Sequence, residues 1–448
     1  YYQGGRHEWA VACVGNLLNG FRHFATTGAL EIMTCGATHG YFPLLGRDVM
    51  VSAQLHTAIR AHERHFGVRP RGIWLPECAY RPVGARWASQ ERKGIEELLA
   101  EHGLSFFVVD TDMVRGRVAH DLYAARFPRL QEPRGGASPS LHVPYDVGSG
   151  VAALARDPDT GLQVWSGEHG YPGDGWYLDF HKKHHPGGLR YWRVTSAKTE
   201  MGEKRSYDPV RVEERLAAHA DHFAALAGRL LGASRGRTDE RAPLLTAPYD
   251  AELLGHWWFE GVHWMERVLR RFAAEGVVEA VRLGDLLAAE PPRRTIALPE
   301  GSWGAGGGHS VWLNDGTRWT WERVYESEER MERLAGELGR LERAADPRSA
   351  SLRGVLAQAA RSLLLLEASD WQFLITTGNA RDYAEVRLNG HADDFRELAG
   401  YAERILGGLE LGPGERERIA VLARADFLFP DLDPRWWSVS RAPAPIAL

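Results

Sequence analysis

The sequence predicts an α/β chain in which strand–helix repeats over residues 1 to about 295 give way to a purely helical region. Two patterns support this. Short apolar runs that end in polar residues alternate with amphipathic stretches, as in a βα-repeating barrel or a layered sheet. From Val311 onward the apolar runs stop and only helical periodicity remains.

In chain order, residues 8–24 read as a helix and 29–34 as a buried strand leading into the loop 35–45. Residues 49–66 form the next helix, and 72–75 a strand ending at Pro76-Glu77. A helix over 94–102 leads to a strand over 105–109, with Asp110 at its end. Further strands are read at 162–165 and 244–247, the second ending at Tyr249-Asp250. Polar residues that directly follow strands are where barrel enzymes carry their chemistry. Part of 82–145, with one clear strand and many Pro, Gly and Arg residues, reads as an inserted lid-like subdomain. The Gly-, His- and aromatic-rich stretch 168–188 reads as a long loop of the functional kind. Beyond it, helices are read at 321–345, 351–369, 380–406 and 413–425, the first two separated by Asp346-Pro347-Arg348.

The 448 residues allow two or three domains, and 44% hydrophobic with 25% charged residues is ordinary for a globular chain. With 54 basic against 59 acidic residues the net charge is −5, so no broad basic field invites nucleic acid or anionic lipid. No apolar run reaches membrane-spanning length. The three cysteines, Cys13, Cys35 and Cys78, are too scattered for a disulfide framework, which fits a cytoplasmic setting. The 16 tryptophans cluster beside Gly- and His-rich loops. A flat indole face suits the apolar face of a pyranose.

Breaking a glycosidic bond takes two carboxyl groups across the anomeric carbon, one as nucleophile or stabiliser and one as acid then base. Glu77 and Asp250 both follow apolar strands, although a carboxylate there is more commonly a cap or an ion-pair partner.

Gly72-Ile73-Trp74-Leu75-Pro76-Glu77-Cys78-Ala79-Tyr80 resembles the nucleophile segment of glycoside hydrolase family 57. The run from Pro248-Tyr249-Asp250 through His256-Trp257-Trp258-Phe259-Glu260-Gly261 resembles that family's acid/base segment in its branching-enzyme form. Ala37-Thr38-His39-Gly40-Tyr41, Gln163-Val164-Trp165-Ser166 and Leu298-Pro299-Glu300-Gly301-Ser302-Trp303-Gly304 resemble further segments, in the family's order. The resemblance implies a (β/α)7-type barrel over 1–297, with the insertion at 82–145, and an all-α C-terminal domain over 298–448. It implies Glu77 as nucleophile and Asp250 as acid/base. His39, Trp165, His256, Trp257, Trp303 and Trp312 become candidate substrate contacts, joined by Tyr80 and Arg81 beside Glu77. Burial among Tyr249, Trp257 and Trp258 would raise the Asp250 pKa, and Arg81 would favour ionised Glu77. The implied activity is that of a 1,4-α-glucan branching enzyme, a retaining glycosyltransferase acting on α-glucan without metal or organic cofactor. The family's opening strand carries a His-any-His motif that is absent here, so the barrel is read as lacking its N-terminal strand and the chain as a piece of a longer one.

Rival readings are weaker. His181, His184 and His185, with His169 and Asp179 nearby, fit solvated loop histidines better than a zinc site of a deacetylase. No Gly-any-Ser-any-Gly elbow follows a strand. Gly304 to Gly308 lacks the lysine of a phosphate loop and reads as a flexible lid. An amylase, a 4-α-glucanotransferase and a non-catalytic glucan-binding protein stay open as alternatives.

Overall fold

In the computed structural model the described residues are 10–11, 13–84, 86–87, 90–116, 139–236 and 241–438. The chain falls into two compact units. The first comprises residues 1–135, 146–153 and 295–448, the second 136–145 and 154–294.

The first unit is built on strands β1 (Gly72–Ile73) and β4 (Phe106–Val109), which run parallel with Gly72 opposite Phe106 and Ile73 opposite Phe107. A Cβ at position 72 would sit 2.2 Å from the Phe106 ring, so glycine is what lets that ring cross the strand. All four β4 residues are buried, as expected of a parallel strand covered on both faces. Helix Asp48–Phe66 precedes β1, and Ile95–Glu101 lies between β1 and β4. Strands β5 (Tyr145–Asp146), β6 (Ala152–Ala155) and β7 (Arg294–Thr295) complete the sheet in the order β1-β4-β6-β5-β7, while β2 (Arg86–Trp87) and β3 (Gln90–Glu91) form a separate antiparallel pair. Beyond Thr317 the chain is helical: Arg318–Arg343, Arg348–Leu366, Asp370–Thr377, Arg381–Leu406 and Pro413–Ala425. Leu352, Val355, Leu356, Ala359 and Leu363 form a buried stripe at helical spacing, on the helix that packs against Arg381–Leu406.

In the second unit helices Pro209–Ser234 and Gly261–Glu275 pack together. Their core joins Leu216, Phe223 and Val268 to Tyr171, Tyr177, Trp258 and Trp264.

Several expected strands are shorter or are not strands. Residues 29–34 contribute a single parallel bridge, Thr34 with Ile73, held by Thr34 N–H to Gly72 O and Trp74 N–H to Thr34 O. Residues 162–165 belong to helix Pro158–Trp165. Asp157 caps that helix and Pro158 sits in its first turn, two start signals that outweigh a four-residue apolar run. The strand of that region lies just upstream, in the alanine-rich β6. Residues 244–247 give one parallel bridge, Thr246 with Arg156. The helix read from residue 8 is described only over Leu17–Thr26, and residue 8 lies outside the described residues. Within 82–145, Ile95–Glu101 and Phe106–Val109 belong to the first unit's βα core, while 117–138 lie outside the described residues. The supposed lid 304–308 is tied down: Ser302 Oγ donates to Gly308 O, and Gly304 N–H donates to Ser302 Oγ at 3.0 Å. No described helix is long and apolar enough to cross a membrane.

Asp157 does more than cap. One of its oxygens accepts from Thr160 N–H (2.8 Å) and Thr160 Oγ1 (2.9 Å), and the other lies 3.1 Å from His142 Nε2. His142 Nδ1 is in turn 2.6 Å from Ser234 Oγ. Burial pushes the Asp157 pKa up, but the bonds from His142 and Thr160 outweigh it, and the carboxyl sits below its usual range. Its stabilisation is therefore complete above the unfolded aspartate pKa and is lost as pH falls through the lower folded value. Asp157→Ala is expected to cost about 2–4 kcal/mol in urea unfolding at pH 7, with the deficit shrinking as pH falls below the unfolded aspartate pKa of about 4. A constant deficit across that range would show that the carboxylate charge plays no part.

Candidate active site

Glu77 lies in the short turn Pro76–Cys78 that ends β1, and both Glu77 (φ 60°) and Cys78 (φ 51°) adopt left-handed backbone. Such conformations cost of order 1–3 kcal/mol each and persist where the surroundings over-determine them. Here Cys78 N–H donates to Leu75 O at 2.9 Å and Ala79 N–H to Pro76 O at 3.0 Å. Tyr80 and Gly301 exchange backbone bonds at 2.9 and 3.1 Å, and Trp303 N–H donates to Glu77 O at 3.2 Å.

The Glu77 side chain is 13% exposed. Trp303 Nε1–H donates to Glu77 Oε2 at 2.6 Å, and the Trp303 ring leans on Trp74 with centroids 5.1 Å apart. Ser369 Oγ lies 3.4 Å from Oε1 and 2.7 Å from His39 Nδ1, which is itself 4.0 Å from Oε1. His39 is also left-handed (φ 59°), and its carbonyl accepts from Ser369 N–H at 3.1 Å. Burial raises the Glu77 pKa, the Trp303 bond, His39 and Ser369 oppose that rise, and Asp370 adds to it. Nearby Cys35 has its thiol pushed up to about 12, chiefly by burial, so at neutral pH it is a protonated neighbour and no nucleophile.

Not every candidate reaches Glu77. Arg81 is 2% exposed and turns to Asp48 Oδ1 (3.2 Å) and Lys93 O (2.5 Å), so it does not set the charge of Glu77 as the sequence suggested. Arg92 shares the same Asp48 oxygen at 2.6 Å, which consumes that carboxylate between two guanidinium groups. Tyr80 is buried, with its hydroxyl donating to Glu96 Oε2 at 2.8 Å and its ring stacked on Phe107. Trp312 is 1% exposed and packed on Tyr41 at 4.4 Å. These three side chains are buried and packed or bonded to residues other than Glu77. Ser369 and Asp370 act on Glu77 and are not among the candidates, because the sequence reads 351–369 as one helix that ends at this serine. The start of a new helix at Asp370 was the available signal.

In the second unit Asp250 is half-buried and opens the turn Ala251–Leu253, where its carbonyl accepts from Leu253 N–H at 3.1 Å. The adjacent tryptophans diverge. Trp257 N–H bonds Glu252 O at 3.2 Å and Trp258 N–H bonds Leu253 O at 2.8 Å, so one indole points outward and the other into the core. Trp258 is 1% exposed. Trp257 is 46% exposed and lies 4.2 Å from Phe180, so the expected burial of Asp250 among Tyr249, Trp257 and Trp258 does not include a buried Trp257. His256 meets the same Phe180 edge-on at 5.2 Å. Trp165, at the end of its helix, is 38% exposed. Glu260, overlooked in the sequence, is buried and accepts from Leu178 N–H (3.0 Å) and Tyr207 O–H (2.8 Å).

Asp179, counted among the possible zinc ligands, is occupied by Lys204 and by Lys182 N–H. Among the described residues, the cluster close enough to hold an ion is His391, Asp394 and Asp426. There Arg418 already bonds Asp394, and Arg387 lies 3.2 Å from His391 Nε2.

Residues 3–299 match the profile of glycosyl hydrolase family 57, and 323–437 match that of the 1,4-alpha-glucan branching enzyme C-terminal region. The chain is 42% identical over 398 residues to a 1,4-alpha-glucan branching enzyme of Thermococcus kodakarensis, covering 88% of this chain and 57% of that protein. The chain thus spans a little over half of that relative's length. The crystal structure of the family 57 branching enzyme from the same archaeon superposes with a TM-score of 0.86 at 40% identity, over 98% of this chain and 77% of the other. An alpha-amylase of Thermotoga maritima superposes at 0.77 with 29% identity, over 98% and 78%. The fold is thus α/β, a (β/α)7-type barrel with an all-α C-terminal domain, and the chain belongs to glycosyl hydrolase family 57.

Proposed function

We propose that this protein is a 1,4-α-glucan branching enzyme in which Glu77 is the nucleophile and Asp250 the general acid/base. A Glu77 oxygen attacks the anomeric carbon of an α-1,4-linked glucose, and the C1–O4 bond breaks. Asp250 gives its proton to the departing O4, which leaves as a free 4-hydroxyl chain end. In the second step Asp250, now a carboxylate, takes the proton of an acceptor 6-hydroxyl as that oxygen attacks C1 and Glu77 departs. Two inversions at C1 give net retention and an α-1,6 branch.

The observation that carries this reading is the setting of Glu77: a largely enclosed carboxylate, strained into place, with an indole N–H on one oxygen and a serine hydroxyl near the other. The match of 323–437 to the branching-enzyme C-terminal region and the names of the relatives support branching as the outcome. The likeness to the Thermotoga amylase favours hydrolysis as the second reading.

Incubation with amylose separates the two. New isoamylase-sensitive branches without a matching rise in reducing ends are expected, and a rise in reducing ends alone would mean hydrolysis. Glu77→Gln and Asp250→Asn should each lower turnover by about three orders of magnitude or more, and undiminished turnover in either would remove that residue from its role.

Trp303 supplies a second test. A hydrogen bond to a charged group contributes about 1.5–3 kcal/mol, so Trp303→Phe should lower kcat/KM by roughly 10–100-fold. Because the indole N–H favours the carboxylate, its loss raises the Glu77 pKa further, and the acid limb of kcat/KM should move to higher pH. An unmoved limb would mean that Trp303 does not bond the reacting form of Glu77.

A further inference from the structure

The groups around Glu77 are held by a residue that touches none of the reacting atoms. Gln54 is fully buried in the middle of helix Asp48–Phe66, where an uncharged amide needs a reason. Its Oε1 accepts from Thr38 N–H at 3.1 Å. Its Nε2 donates to Thr38 Oγ1 at 3.0 Å and to Glu367 Oε2 at 2.7 Å. Thr38 Oγ1 in turn donates to Leu364 O. One amide therefore cross-links two loops that are far apart in sequence.

Those loops carry the site. Thr38 directly precedes His39, and Glu367 lies two residues before Ser369. Gly40 and Ala368 form an antiparallel bridge between them. At the far end of this strip Ser369 Oγ bonds His39 Nδ1 and approaches Glu77. The fit is tight as well as bonded: a Cβ at position 40 would lie 2.9 Å from Gln54 Nε2. His39 keeps its left-handed backbone inside this double anchorage.

We propose that Gln54 is a positioning residue: by tying Thr38 to Glu367 it sets the separation of the two loops and so holds His39 and Ser369 against Glu77. The proposal rests on Glu77 being the working carboxylate, and it adds that the ionisation of Glu77 is controlled through Gln54. His39 and Ser369 both favour ionised Glu77, so letting the strip relax should make that carboxyl harder to ionise.

The test reads Glu77 itself and does not depend on turnover. Carbodiimide-driven amidation of the carboxyl is followed by mass spectrometry of the Glu77 peptide across pH, giving a midpoint for the protonated form. Amylose turnover is measured in parallel. Gln54→Leu keeps the volume and removes all three bonds. Its midpoint should rise by roughly half a unit or more, with kcat falling more than KM changes. Ser369→Ala should shift the midpoint the same way. Glu367→Gln keeps an acceptor for Gln54 Nε2 and should retain the wild-type midpoint. Thr38→Val, which loses only the hydroxyl contacts, provides a milder variant should Gln54→Leu fail to fold, and its midpoint should rise by a smaller amount. Destabilisation alone would lower the folded fraction without moving the midpoint. Wild-type midpoints in folded Gln54→Leu, or in folded Thr38→Val where the first does not fold, would overturn the proposal. A shifted midpoint in a protein whose wild type leaves amylose unchanged would uphold the clamp and sink the branching reading instead.

Discussion

The site depends first on the pairing of the Glu77 turn with the segment that carries Trp303. Two consecutive left-handed residues at 77 and 78 are unfavourable for a free chain. They become acceptable because segments 226 residues apart fasten to each other, through the Tyr80–Gly301 backbone pair, the Trp303 N–H to Glu77 O bond and the indole on Glu77 Oε2. The last two of these link the same two residues, one through the backbone and one through the side chains. The conformation of the turn and the direction of the carboxylate are therefore set together, and whatever holds 300–303 in place also aims Glu77.

The electrostatics follow from the same enclosure. Burial makes ionised Glu77 costly, yet neither Arg81 nor Arg92 is spent on it, because both are committed to Asp48. A guanidinium bonded to the carboxylate would secure its charge but would also bind the lone pairs that a nucleophile must offer. An indole N–H and a serine hydroxyl hold the carboxylate more lightly. In the proposed reaction the carboxylate must attack and later leave, and a lightly held oxygen serves both steps.

The strand–helix alternation, the long helices after Thr317 and the two carboxylates after apolar runs could be read from periodicity and from motif resemblance. Other features could not. The run 162–165 has four apolar-rich residues that fit strand or helix equally, and Asp157 with Pro158 decided the matter from outside the run. The alanines of β6 have little strand propensity, and only burial between neighbouring strands explains them. Arg81 looked like a partner for Glu77 by adjacency, but successive residues leaving a tight turn point different ways, and Asp48 lay on the other side. Ser369 and Gln54 carry no local signal of function, since their roles exist only once segments far apart in sequence have met.

The two tryptophans at 257 and 258 show how one local choice divides stability from recognition. The backbone bonds to Glu252 and Leu253 fix which indole enters the core, where Trp258 meets Tyr177 and Trp264 at 5.6 and 5.2 Å. Its neighbour is left nearly half exposed against Phe180, with His256 beside it. Leaving that much indole in water forgoes stabilisation that burial would supply, at roughly 25 cal/mol per Å². If the exposed face is one of the sugar contacts that the family resemblance implies, the apolar face of a glucose ring would cover it and displace the same water. The buried indole anchors the backbone from which the exposed one projects, so the two adjacent residues divide between core and surface.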